Sequence, residues 1–400
     1  MVNYTCLFYF TRKRENMKPF MKKELIRKLT AIVVLAALVI GCIWMDMPEH
    51  FGTTGTGPSH ADAAGTASTN PATGGAISGS TQELRGIWIA FCDWDALGLS
   101  NKSEEVFTKN ARKLFANCKK NYINTVYFHV VPCNDAIYPS KYLKWSSYTF
   151  KSAPDYDPLK ILVREAHSYD LSFQAWLNPY RQKMGKVFNP AASSSTNRIL
   201  RNVKEIAKNY DVDGIHFDDY FYPAKTRGYQ YYSVSIAKRK RVINRMVRKV
   251  YKTVKSIDRD LDFSISPAGN IEYAESLGCD LKTWMSGTGY MDYIVPQIYW
   301  SDCYRIGGKN TKMYSERLER WNSMNTGDLP MVIGLALYHA GWNSGIDRGW
   351  RRSSTNIATQ IKKERKSGCQ GFVLFSAANL TAPIAKKEMN HYRSLMKSAQ

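Results

Sequence analysis

The chain has 400 residues, 44% of them hydrophobic, which is enough for a sizeable core and excludes disorder throughout. Lys and Arg number 56 against 34 Asp and Glu, for a formal net charge of +22. A field of that sign favours polyanions, from nucleic acid and anionic lipid to wall polymers with free carboxylates, without choosing among them.

In chain order, residues 1–50 form a basic leader. Lys22, Lys23, Arg27 and Lys28 precede an apolar run over 29–45, the pattern of an export signal or membrane anchor. Within it Val39-Ile40-Gly41-Cys42 has the form of a lipobox, in which Cys42 would carry a lipid. An uncleaved anchor and ordinary signal cleavage are the alternatives. Residues 51–82 are almost entirely Gly, Ala, Ser, Thr and Pro, a composition with little to bury, and read as a flexible tether. The expected location is therefore the bacterial cell envelope, outside the cytoplasm, held at a membrane by the N-terminal segment or the lipid; free secretion is the lesser alternative. The eight cysteines have no framework spacing, and there is no CxxC pair or histidine cluster, so neither a metal nor a cofactor is expected.

From residue 83 onward strand and helix patterns alternate. Apolar strand-like runs occupy 84–91, 123–131, 171–177, 214–217, 261–266, 293–299, 331–337 and 371–376. Helical periodicity fills 103–120, 157–169, 194–209, 231–257, 275–285, 309–323, 354–366 and 382–396. Eight of each over 83–400 predict an α/β fold, a single (β/α)8 TIM barrel. A doubly wound sheet would need a glycine-rich phosphate turn after its first strand, where Cys92-Asp93-Trp94-Asp95 stands instead.

In such a barrel the chemistry sits at the C-terminal ends of the strands. There the fourth strand runs into Asp218 and Asp219. Alternation puts His216 and Asp218 on one face, so Asp218 is the main candidate for a catalytic carboxylate, and Asp219 either supports it or caps the following turn. Glycosidic cleavage needs a second carboxyl. Glu272, after the fifth strand, is the provisional acid, provided that burial raises its proton affinity; an ordinary loop or helix-start acid is the alternative. Asp135 could position substrate or a metal, or form a turn, and Asp93 and Asp95 share that ambiguity. Trp88, Trp176, Tyr222, Tyr299, Trp300 and Trp342 are candidate stacking platforms for sugar rings, with core packing as the alternative for each. Asn178, Gln297 and Arg181 could satisfy hydroxyls or acidic substituents. His129 and His216 could be metal ligands or proton carriers, or simply hydrogen-bond inside the barrel.

Five ordered segments resemble the bacterial glycosyl hydrolase-like 10 family, a barrel group related to amylase-like glycosidases. They are Glu83-Leu84-Arg85-Gly86-Ile87-Trp88, Asn134-Asp135-Ala136-Ile137-Tyr138-Pro139-Ser140, Ala175-Trp176-Leu177-Asn178-Pro179-Tyr180-Arg181, the run 214–223, and Val295-Pro296-Gln297-Ile298-Tyr299-Trp300. The resemblance covers nearly all of 83–400. It implies an exported or lipid-anchored envelope hydrolase of O-glycosidic bonds, with cell-wall peptidoglycan glycan as the expected substrate and Asp218 at the usual carboxylate position. After Ser266-Pro267 the chain departs from the family's usual glycine and aromatic segment. A monomer that binds polysaccharide and no nucleic acid is expected, and a glycan-binding barrel without catalysis is the alternative.

Overall fold

The structure, a computed structural model, describes residues 82–218, 221–223, 231 and 233–398. The leader, Cys42 and nearly all of the tether lie outside the described residues, as does Asp219. Eight parallel strands form the inner wall: β1 Leu84–Ile89, β2 Thr125–Val131, β3 Ser172–Leu177, β4 Gly214–Asp218, β5 Asp262–Ser266, β6 Tyr293–Ile294, β7 Val332–Leu335 and β8 Gly371–Phe375. They pair in the order β6-β5-β4-β3-β2-β1-β8-β7. The remaining seam is joined by parallel bridges from Ile294 to Met331 and from Gln297 to Gly334. The result is a (β/α)8 barrel.

The strands are buried on both faces because helices cover the outside and side chains fill the inside. Around them run α1 Glu104–Lys120, α2 Pro158–His167, α3 Ser193–Asn209, α4 Ile236–Ile257, α5 Ile271–Ser276, α6 Leu281–Ser286, α7 Met313–Met324, α8 Asn356–Lys366 and α9 Lys386–Lys397. α4 shows how sequence makes such a helix. Ile243, Met246, Val247, Val250 and Val254 recur every three or four residues and are all buried, each contributing roughly 1.5–3 kcal/mol of apolar burial as an upper estimate. At its start Ser235 Oγ accepts from the amide of Lys238, satisfying one open donor of the first turn. α2 begins in the same way, with Asp157 accepting from Lys160 N and Pro158 in the first turn.

Two departures from the expected elements have local causes. The single helix expected at 275–285 is two short ones, α5 and α6, separated at Gly278, whose φ of +100° interrupts the helical path. β6 holds only two residues of ladder because Pro296 has no amide hydrogen to donate. Gly214 is required where β4 enters the wall, since a Cβ there would overlap the Gln174 side chain and lie 2.8 Å from the Asp262 carbonyl oxygen. Among the described residues no helix is long and apolar enough to cross a membrane.

Candidate active site

Asp218 is the last residue of β4 and is 2% exposed. Its two oxygens are held separately. Gln297 Nε2 donates to Oδ1 at 2.9 Å and Asn178 Nδ2 donates to Oδ2 at 3.2 Å. Asn178 follows β3, whose Trp176 and Leu177 pair with His216 and Phe217 of β4, so the neighbouring strand delivers its amide from the side. Gln297 lies past β6 but still bridges Ala268 and Gly334, which fixes its backbone; its second amide hydrogen reaches Ser266 Oγ at 3.0 Å. Two neutral donors thus satisfy a buried carboxylate without a salt bridge from either of them, leaving it an acceptor of fixed orientation.

Beneath it His216 accepts from Trp88 Nε1 at 3.3 Å through Nε2, so its proton belongs on Nδ1, 2.7 Å from Ser264 Oγ. Burial pushes this imidazole down to about 3, against the opposing pull of Asp218, so the ring is neutral at ordinary pH. His129 lies flat on Trp176, with centroids 3.7 Å apart and planes within 6°. Burial and the Arg181 guanidinium hold it well below the usual range. Neither ring is a proton carrier near neutral pH: His216 is a neutral hydrogen-bonding group and His129 a neutral ring packed on Trp176. Among the described residues no group of three or more His, Cys, Asp or Glu side chains could hold a metal ion.

The other candidates separate by position. Glu272 sits in the first turn of α5, where Asn270 caps the helix by accepting from Tyr273 N, and this turns Glu272 outward. Its side chain is 61% exposed and pairs with Arg317 and Arg320, both on α7. The hydrogen bond from Arg320 lowers its proton affinity. The condition set for Glu272 as an acid, a desolvated carboxyl held above its ordinary range, is not met, and we correct that assignment. Tyr222 is buried, donates its backbone amide to Leu277 O and lies 5.4 Å from the Arg239 guanidinium of α4. It is therefore packed into the wall, not presented as a platform.

Trp88, Trp176 and Tyr299 are likewise almost fully buried. Trp88 touches Tyr127, Tyr299, Phe375 and His216, filling the barrel as an eight-stranded interior must be filled. Of the stacking candidates, Trp300, near Arg317, and Trp342, beyond β7, are partly exposed, as is Tyr338, also after β7. Arg181 is 2% exposed and donates to Pro132 O at 3.2 Å. Asp135 accepts from Cys133 N at 2.9 Å and stays partly exposed; burial raises its proton affinity.

Sequence reading missed the Ser264 and Ser266 hydroxyls and left the role of Asp93 open. Ser264 and Ser266 line the inner face of β5, and their signal was the alternation Asp262-Phe263-Ser264-Ile265-Ser266. Asp93 ties the ends of the first and last strands together, with its oxygens taking Ala90 N at 3.1 Å and Ser376 Oγ at 2.9 Å. Burial lifts its carboxyl to about 7 despite those donors.

Comparison with known proteins agrees with this geometry. The family model described as glycosyl hydrolase-like 10 matches residues 83–187 and 181–352. Glycosyl hydrolase YngK of Bacillus subtilis is 29% identical over 373 residues, covering 77% of this chain and 71% of its own. Glycosyl hydrolase DigH of Escherichia coli K12 is 26% identical over 451 residues, covering 93% and 98%. Among solved structures, the PgaB (BpsB) glycoside hydrolase domain of Bordetella bronchiseptica superposes with a TM-score of 0.54 at 12% identity, over 78% of this chain and 99% of that one. The endo-1,4-beta-mannanase of Rhizomucor miehei gives 0.53 at 11% identity, over 80% and 96%. At such identity these two speak for the barrel alone. The chain belongs to the glycosyl hydrolase-like 10 family, and by that membership it is a glycoside hydrolase on a (β/α)8 barrel.

Proposed function

We propose that the protein is an envelope hydrolase that cleaves O-glycosidic bonds in the glycan strands of cell-wall peptidoglycan. The observation that carries the chemical part is Asp218, a buried carboxylate at the C-terminal end of β4 with one amide donor on each oxygen. Such a group is preorganised to stabilise positive charge developing at an anomeric carbon, as a nucleophile or as an electrostatic partner. The basic leader, the tether and the net charge of +22 support a location beside anionic wall polymers.

The reaction also needs a proton donor for the leaving oxygen. Besides Asp218, three described carboxyls after β1, β2 and β7 deserve comparison. Asp93 has both oxygens occupied by Ala90 and Ser376, and Asp347 has both occupied by Ser301 and Trp350. Asp135 is partly exposed and above its ordinary range through burial, the combination that a general acid requires. We assign proton donation to Asp135.

Incubation of the full chain with intact and peptide-stripped peptidoglycan, followed by analysis of new reducing ends, tests the substrate. Release from the stripped strands supports the proposal. Absence of new ends from both would overturn it, and a folded protein that binds the strands without cutting them would favour the glycan-binding alternative.

A further inference from the structure

On the outside of the barrel, the link from β2 to α2 folds against α3 and leaves an open groove of about 470 Å³. Its lining includes Lys141 and Tyr142 from the link and Arg201, Lys204, Glu205 and Lys208 from α3. No residue of the Asp218 cluster contributes to it. Glu205 is buried and accepts from Tyr138 Oη at 3.1 Å, Ser140 Oγ at 2.6 Å and Lys141 N at 2.7 Å. That carboxylate fixes the link to the helix, and its oxygens are already engaged.

The cations of the groove are in a different state. Lys141, Arg201, Lys204 and Lys208 are all exposed, and among the described residues none of them is in an ion pair. Residues 201, 204 and 208 stand three and four apart on α3, where like charges oppose the helix rather than support it. Tyr142 is 49% exposed, and the Arg201 guanidinium lies 4.4 Å from its ring centroid. That contact restrains an aromatic which solvent alone would leave free to rotate.

We infer that this groove is a second glycan site, separate from the cleft, which takes an anionic polysaccharide. Tyr142 offers a ring face to a sugar, and Lys141, Lys204 and Lys208 meet carboxylate or phosphate substituents along the polymer. The inference goes beyond the proposed hydrolysis and does not depend on it: the groove would hold an acidic polymer whether or not the cleft cuts it.

The test is calorimetric titration of the full chain with four oligomers of similar length: an oligogalacturonate, a glycerol-phosphate oligomer bearing sugars, neutral chitohexaose and single-stranded DNA. Binding of either sugar-bearing anion over chitohexaose is expected, and the stronger of the two identifies the substituent. K204E/K208E should weaken it about tenfold or more, as expected for losing charge-assisted contacts, and Y142A should weaken it severalfold. Asp218→Asn should leave this affinity unchanged, and K204E/K208E should leave hydrolysis of a small soluble glycoside unchanged. The inference is overturned if K204E/K208E binds the anionic sugars like the parent. It is equally overturned if DNA binds as tightly as they do and Y142A changes nothing, since that describes a general polyanion patch.

Discussion

Replacing Gln297 with leucine keeps the side-chain volume close to the original and removes the amide that reaches Asp218 Oδ1 at 2.9 Å and Ser266 Oγ at 3.0 Å. The lost contact is a hydrogen bond to a charged, 2% exposed carboxylate, worth about 1.5–3 kcal/mol. If that bond orients Asp218 for the transition state, kcat/KM should fall roughly ten- to a hundredfold, mostly in kcat. The assay is the initial rate of reducing-end release from peptide-stripped glycan at several substrate concentrations, with circular dichroism and thermal unfolding to establish that the variant is folded. A folded Q297L enzyme within about twofold of the parent rate would refute the claim that the Gln297 amide prepares Asp218 for catalysis.

Three further outcomes follow from the same structure. Glu272→Gln should leave the rate within about twofold and stability within about 1 kcal/mol, because an exposed pair is all that it breaks; a large kinetic loss would restore Glu272 to the cleft. Asp135→Asn should abolish cleavage of polymer yet retain activity on an aryl glycoside whose leaving group needs no protonation, and equal losses on both substrates would remove Asp135 from proton donation. Asp262, 1% exposed at the start of β5, is raised from 3.8 to about 7, chiefly by burial and then by Asp292. Because the folded state holds this proton more tightly than the unfolded chain, the contribution is present in full at low pH. It is lost as pH rises from about 4 to about 7, by on the order of 4 kcal/mol at most. Asp262→Asn should therefore raise Tm at pH 8 more than at pH 5, which parallel melting curves at the two values would check.

The barrel was legible because each strand is a short apolar run and each long helix has a three-to-four spacing that ends near a cap or turn residue. Asp218 was legible for a related reason: alternation along Gly214–Asp218 separates inward His216 and Asp218 from Phe217. Glu272 was misplaced because its sequence position follows a strand, whereas the Asn270 cap starts α5 at once and turns the side chain toward Arg320. The aromatics were ambiguous in a deeper way. A tryptophan that fills the barrel, such as Trp88, and one that meets solvent above it occupy equivalent places in the sequence pattern, and only packing distinguishes them. Gln297 was found among the candidates, but its bond to a residue 79 positions away could not be read before the strands were closed.

The proposed hydrolysis rests most heavily on Asp218. Its direct test is the rate of reducing-end release from peptide-stripped peptidoglycan strands by the parent and by D218N, each shown to be folded. We predict release by the parent and a loss on the order of a thousandfold or more in D218N, which keeps the shape of the side chain and removes its charge. Equal rates in the two proteins would remove Asp218 from the chemistry.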